Sequence, residues 1–299
     1  MQATVISETL NYRSQPKLGD NVLGHFEKGQ TVEMMGSAPS APRWAIIHHG
    51  GQTVYSARRY LAQQMNGDFP ALDASIETLI SDIVWDTTRK YDSIRYRLGC
   101  KCSRRGLKEL VFSGTDIAGA ACSGTTVDCS GWMHGLFQLI AVNINEALNR
   151  TVFPSMTVGK LSNHSDGQVA GIGTITNQIV SGTDIDKLEL RSAMLFGINF
   201  ADYDWEGQER VFEIDHIVMG VQRPNGYYIV QSSSGGGGVN TVPWQTWRQN
   251  TASKFEAYRV HAVHLMGAGN WQAQPRGDTD AAEGRSLVVD PAPFSAPPG

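Results

Sequence analysis

Apolar positions fall into two kinds of pattern along the chain. Residues 1 to about 62 hold short β-branched runs separated by Gly and Pro: Ala3-Thr4-Val5-Ile6, Leu10 to Ser14, Val22 to Phe26, Thr31 to Met35 and Trp44 to His48. Runs this short, punctuated this way, predict a small β-barrel. Residues 63–74 are a polar link. In residues 74–92, Ile76, Leu79, Ile80, Ile83 and Val84 recur at helical spacing, with Ser75 as the expected N-cap and Glu77 close behind. A second helix follows Cys129, where Trp132, Leu136, Ile140 and Ile144 share one face and Met133 and Phe137 widen it. The stretch 93–128 reads as a loop-rich approach to it.

Beyond residue 188 the period returns to that of strands: Leu195 to Ile198, Glu213 to Val221, Tyr227 to Gln231 and Phe255 to Leu265. Arg223-Pro224-Asn225-Gly226 joins the middle two as a hairpin, since Asn-Gly adopts the turn that such strands need. Helices first and an antiparallel meander afterwards make an α+β domain over residues 75–266. Residues 145–190 read as an insertion with one short helix or hairpin. The Gly, Ala and Pro-rich tail 267–299 is expected to be flexible.

Composition narrows the function. The 299 residues are 41% hydrophobic and 18% charged with a net charge of −4, an ordinary globular balance without the field that nucleic acid or an anionic membrane would call for. No run of 18 apolar residues predicts a membrane span, and the first residues lack the basic and apolar regions of a secretory signal. Cys100, Cys102, Cys122 and Cys129 cluster, but their spacing is not that of a zinc site, so no metal and no other cofactor is expected. A disulfide from Cys122 to Cys100 or Cys102 is one reading and buried free thiols are the other.

The chemistry-bearing residues come in a fixed order. Cys129 opens a helix, Asp128 is placed to cap it, and Ser130 and Gly131 keep its first turn small. A helix N-terminus favours an anion, and a thiol attacks only as the thiolate. His216, in Ile214-Asp215-His216-Ile217-Val218, is placed to act as base, with His134 as a poorer rival on the Cys129 helix. Gln231 lies on the partner strand, where an amide could hold the second imidazole nitrogen, and Ser232 is the alternative. The Ser232–Gly238 run lacks the Lys of a phosphate loop and reads as a mobile loop beside the site.

Asp128-Cys129-Ser130-Gly131-Trp132, Ile214 to Val221 and Tyr227 to Gln231 resemble the NlpC/P60 superfamily of papain-like cell-wall cysteine peptidases over about residues 75–265. The N-terminal segment, with Leu10-Asn11-Tyr12-Arg13-Ser14-Gln15-Pro16 and Arg43-Trp44-Ala45-Ile46-Ile47, resembles a bacterial SH3 domain. The first resemblance implies Cys129 as nucleophile, His216 as base, Gln231 as orienter and Tyr96 as a tyrosine that helps form the site. It implies cleavage of peptidoglycan stem peptides between D-γ-glutamate and the diamino acid, and the second implies tethering to the wall. Action on the wall puts the protein in a periplasmic or extracellular setting. Without a signal in this chain, the setting is a toxin delivered into a rival cell, with an immunity protein in the producer, or a phage-type lysin. An amidase or acyltransferase on the same triad is the alternative enzyme, and an inactive wall-binding module is the alternative of another class. The residues between Cys129 and His216 outnumber those of compact family members, so the 145–190 insertion is expected to act as a lid.

Overall fold

The computed structural model describes residues 2–38, 40–63, 74–105, 109–149, 151–153, 164–176, 179–200, 210 and 212–265. The link expected at 63–74 and the tail expected at 267–299 fall almost wholly outside them.

The N-terminal strands are β1 (Gln2–Val5), β2 (Thr9–Arg13), β3 (Val22–Glu27), β4 (Thr31–Ala38), β5 (Ala41–His49), β6 (Gln52–Ala57) and β7 (Leu61–Gln63). They form one antiparallel sheet in the order β3-β2-β6-β5-β4-β1-β7. The expected small barrel is therefore corrected to an open sheet. Its end strands β3 and β7 do not pair, and β7, at three residues, offers little ladder with which to close it. Ala3, Val5, Phe26, Met34 and Ile47 alternate inward along their strands and fill a core of their own.

The rest is a mixed α/β unit. Helix α1 (Ala74–Lys90) buries Ile76, Ile80 and Val84, as the spacing predicts, but it starts at Ala74, so Ser75 lies inside its first turn. The stretch expected to be loops contains β8 (Arg95–Tyr96), the hairpin β9 (Lys101–Arg105) with β10 (Glu109–Ser113), and β11 (Thr126–Val127), which pairs in parallel with β8. Helix α2 (Cys129–Ala147) and helix α3 (Ser165–Thr176) follow, then β12 (Val180–Ser181) and β13 (Met194–Ile198). The chain continues through β14 (His216–Arg223), β15 (Gly226–Ser233), β16 (Gly238–Pro243), short helices α4 (Trp244–Asn250) and α5 (Ala252–Glu256), and β17 (Val260–His264).

The six strands from β12 onwards form an antiparallel sheet in the order β12-β17-β13-β14-β15-β16. One face, with Leu195, Ile217, Met219, Val230 and Val263, packs on α1, α2 and α3 through Trp132, Leu136, Ile140, Ile144, Val169 and Ile172. The other, with Met194, Phe196, Val218 and Ile229, is covered by Trp247 and Phe255 from α4 and α5. Two strand expectations shift. Phe255 belongs to a helix, and Tyr258 takes a left-handed turn before β17 begins at Val260. Glu213 likewise has φ 58°, which breaks the extended backbone, so the ladder starts at His216 rather than at Glu213.

Cys100 and Cys122 are joined in a disulfide that ties the β8–β9 turn to the loop before β11. Cys102 is a buried free thiol whose Sγ donates to the Gly131 carbonyl at 3.0 Å, and burial pushes its pKa up. Replacing Cys122 by Ser is expected to lower the unfolding free energy by about 3 kcal/mol, the entropy of closing a loop of this size in the unfolded chain. Urea denaturation of oxidised wild type and variant measures it.

Candidate active site

Cys129 is the first residue of α2. The Asp128 carboxylate caps the helix: Oδ1 accepts from the Gly131 amide at 2.7 Å and from Ser130 Oγ at 3.2 Å, while Oδ2 accepts from the Gly99 amide at 3.0 Å and from Lys101 Nζ at 2.6 Å. Lys101 Nζ also donates to Ser130 Oγ at 2.8 Å. Asp128 is buried, and these donors are what make a buried carboxylate tolerable. The first turn runs tight against the start of β9. A Cβ on Gly131 would sit 2.8 Å from Lys101 Cα and 2.9 Å from the Cys100 carbonyl oxygen, both backbone atoms, so only glycine fits.

His216 begins β14 beside Cys129. Its Nε2 is hydrogen-bonded to Gln231 Oε1 at 3.2 Å, and Cys129 Sγ lies 3.7 Å from the carbonyl oxygen of the preceding residue, Asp215. Gln231 Nε2 in turn donates to Asn240 Oδ1 at 3.2 Å, and the two residues face each other across the β15–β16 ladder. The glycines before Asn240 make this pairing. Gly237 and Gly238 have φ 75° and 139°, and a Cβ on Gly238 would collide with the Ile94 carbonyl. Of the Ser232–Gly238 run expected to be a mobile loop, Ser232 and Ser233 belong to β15 and Gly238 to β16, with residues 234–237 as the turn between them.

Electrostatics at the pair work in opposite senses. Burial pushes the Cys129 thiol up, but the hydrogen bond and charge of His216 outweigh it and leave the thiol below its ordinary value. Burial pushes His216 down, and the Cys129 hydrogen bond and thiolate charge, with help from Gln231, raise it above the usual imidazole value. Both shifts run in the direction of a thiolate–imidazolium pair, which is the reactive form of a cysteine nucleophile.

The other sequence candidates separate. Tyr96 pairs with Val127 in the β8–β11 ladder, two residues before Cys129. Ser232 does not reach His216: its hydroxyl donates to the Val127 carbonyl at 2.9 Å. His134 is buried on α2, where its Nε2 meets Gln138 at 2.8 Å, and burial lowers its pKa. Three groups escaped the sequence reading: Lys101, Asn240 and Ser165. Ser165 Oγ lies 3.5 Å from Cys129 Sγ. The spacing of Val169 and Ile172 was the only signal of the helix that carries it, and the glycines among them dilute it.

No protein-family model matches the chain, and no curated protein matches it. Among solved structures it is similar to NlpC2 from Trichomonas vaginalis, at 14% identity and a TM-score of 0.28, over 82% of this chain and 68% of that one. NlpC1 from Trichomonas vaginalis gives 15% identity and a TM-score of 0.27, over 83% and 65%. An NlpC/P60 endopeptidase from Photobacterium damselae subsp. piscicida gives 10% and 0.24, over 89% and 73%. With TM-scores this low, the chemistry rests on the site's own geometry. Among the described residues no helix is long and apolar enough to cross a membrane, and no three His, Cys, Asp or Glu side chains come together as a metal site.

Proposed function

We propose that the protein is a cysteine endopeptidase that cuts peptidoglycan stem peptides, with Cys129 as nucleophile, His216 as base and Gln231 as orienter. The observation that carries this reading is the position of Cys129 at the N-terminus of a helix, with its Sγ 3.7 Å from the Asp215 carbonyl oxygen and so beside His216, whose Nε2 meets Gln231 Oε1 at 3.2 Å. His216 takes the thiol proton. The thiolate attacks the scissile carbonyl. The Cys129 backbone amide lies in the first helical turn, where amides have no intrahelical acceptor, and is placed to receive the developing oxyanion. His216 returns the proton to the leaving amine as the C–N bond breaks, leaving a thioester. Water, deprotonated by His216, then releases the acid and restores the thiol.

The substrate follows from the resemblance of the Asp128–Trp132, Ile214–Val221 and Tyr227–Gln231 motifs to NlpC/P60 peptidases, which points to the bond between D-γ-glutamate and the diamino acid. On the same basis the N-terminal sheet is an SH3-type module that holds the enzyme on the wall, Tyr96 lines the substrate side of the nucleophile, and the wall of a rival cell or a host is the setting. An immunity protein would be the partner in the first of these. Digestion of purified peptidoglycan, with fragments identified by mass spectrometry, tests the reading. Fragments cut between D-glutamate and the diamino acid support it. Intact stem peptides released from the glycan would make the protein an amidase, and no fragments at all would overturn the hydrolase reading.

Gln231 is neutral, so its contribution is orientation rather than charge. Gln231→Ala is expected to lower kcat by about 10- to 100-fold with little change in KM, because the imidazole loses its fixed tautomer. Steady-state kinetics on a soluble stem peptide separate the two constants.

A further inference from the structure

Helix α3 belongs to the stretch expected to be a lid, yet it is anchored into the site at three points. Ser165 Oγ lies 3.5 Å from Cys129 Sγ. Asp166 Oδ1 accepts from the Phe212 amide at 2.8 Å and the Ile214 amide at 3.1 Å, holding the segment that leads into His216. Gln168 Nε2 donates to the Ser130 carbonyl at 2.9 Å, in the first turn of α2. All three side chains are buried, and Val169 and Ile172 of the same helix sit in the core beneath the sheet. A surface flap would not be fixed this way: buried polar side chains that bridge two other elements set the position of whatever lies beside them.

Ser165 is therefore held against the sulfur by a built framework. We propose that Ser165 is a catalytic residue whose hydroxyl donates a hydrogen bond to the Cys129 thiolate. Either partner can donate while the sulfur is protonated, but once the proton has passed to His216 only the hydroxyl has one to share. A hydrogen bond to an ion is worth more than one to the neutral group, so the contact favours the charged form. Cys129 is 3% exposed, and water cannot readily supply the same bond. The thiolate thus has the imidazolium on one side and the Ser165 hydroxyl on another. The catalytic role rests on Cys129 being the nucleophile, whereas the hydrogen bond itself does not.

One measurement separates the two. The rate of alkylation of Cys129 by iodoacetamide, followed by mass spectrometry of the Cys129 peptide as a function of pH, needs no substrate. Removing the hydroxyl in Ser165→Ala is expected to move the acid limb of that profile up by about one pH unit, and to lower peptide cleavage at pH 6 by about tenfold. Ser165→Thr, which keeps a hydroxyl, is expected to restore most of both. An alkylation profile of Ser165→Ala that overlays wild type overturns the proposal whatever the substrate proves to be. A shifted profile in a protein that cuts no peptidoglycan keeps the hydrogen bond and discards the peptidase reading. Ser165→Cys supplies a check on placement that survives a poorly folding alanine variant. Mild copper–phenanthroline oxidation is expected to join the introduced thiol to Cys129, found as a cross-linked peptide pair that dithiothreitol releases. Absence of that pair would overturn the geometry.

Discussion

Cys129→Ala is expected to abolish cleavage, with kcat/KM falling by at least about a thousandfold, and His216→Ala is expected to fall nearly as far. The two side chains act as one unit, since the pKa of each is displaced by the other. The double variant should therefore be little worse than either single one, because the first substitution already removes the coupling between them. The same coupling sets the pH profile. The thiol lies below its ordinary value, so the thiolate persists to lower pH than a free cysteine would allow, and activity is lost only as pH falls through that depressed step. His216 lies above its ordinary value, so the imidazolium, the proposed proton donor to the leaving amine, persists to higher pH, and activity is expected to be lost as pH rises through the raised step. A broad plateau between the two limbs is the expected result, and each limb belongs to the pair rather than to one residue. Activity of Cys129→Ala equal to wild type would end the cysteine-nucleophile reading, and a narrow bell centred on an unperturbed histidine would end the ion-pair account. Both variants are expected to stay folded, and circular dichroism with thermal melting confirms that the loss is chemical.

What the sequence disclosed of this site divides by distance along the chain. The Cys129 helix was legible because Trp132, Leu136, Ile140 and Ile144 repeat at one helical period and all turn out buried. The contact between His216 and Gln231 was legible because Asn225-Gly226 sets a tight turn, and a tight turn fixes the register that puts the two on one face of the sheet, a diagonal step apart. Lys101, Asn240 and Ser165 were not legible in the same way. Lys101 reaches Asp128 from a hairpin whose strand is largely charged, Lys101-Cys102-Ser103-Arg104-Arg105, and so carries no strand signal of its own. Asn240 depended on knowing that the glycines before it form a hairpin turn rather than a loose loop. Ser165 depended on a packing between α2 and α3 that no local period encodes. Glu213 misled for a related reason: Glu213 to Val221 alternates well enough for a strand, but the backbone leaves the ladder at a left-handed residue that the pattern does not mark. Local periods specify elements. Contacts between elements far apart in sequence complete the site.

Asp128→Ala is expected to have the largest effect on stability, about 4 kcal/mol, from the combined loss of a helix cap and of a mostly buried ion pair. The carboxylate is 3% exposed and Lys101 21% exposed at their side chains, 2.6 Å apart, so water can replace little of what is lost. The alanine would deprive the Gly131 and Gly99 amides of this acceptor and the Lys101 ammonium of its carboxylate. Asp128→Asn should cost less, since its oxygen can still cap Gly131 although the charge opposite Lys101 is gone. The order wild type, Asp128→Asn, Asp128→Ala in urea midpoints is the expected outcome. Activity is expected to fall along the same order, because the turn that frays when the cap is lost is the one that carries Cys129. Asp128 also carries a negative charge that works against the thiolate and in favour of the imidazolium. In Asp128→Asn the acid limb of Cys129 alkylation is therefore expected to move to lower pH even as turnover falls. An Asp128→Asn variant no more stable than Asp128→Ala would mean that the ion pair, and not the cap, supplies the stability. An acid limb moving the other way would mean that Asp128 acts on Cys129 through the geometry of the turn rather than through its charge.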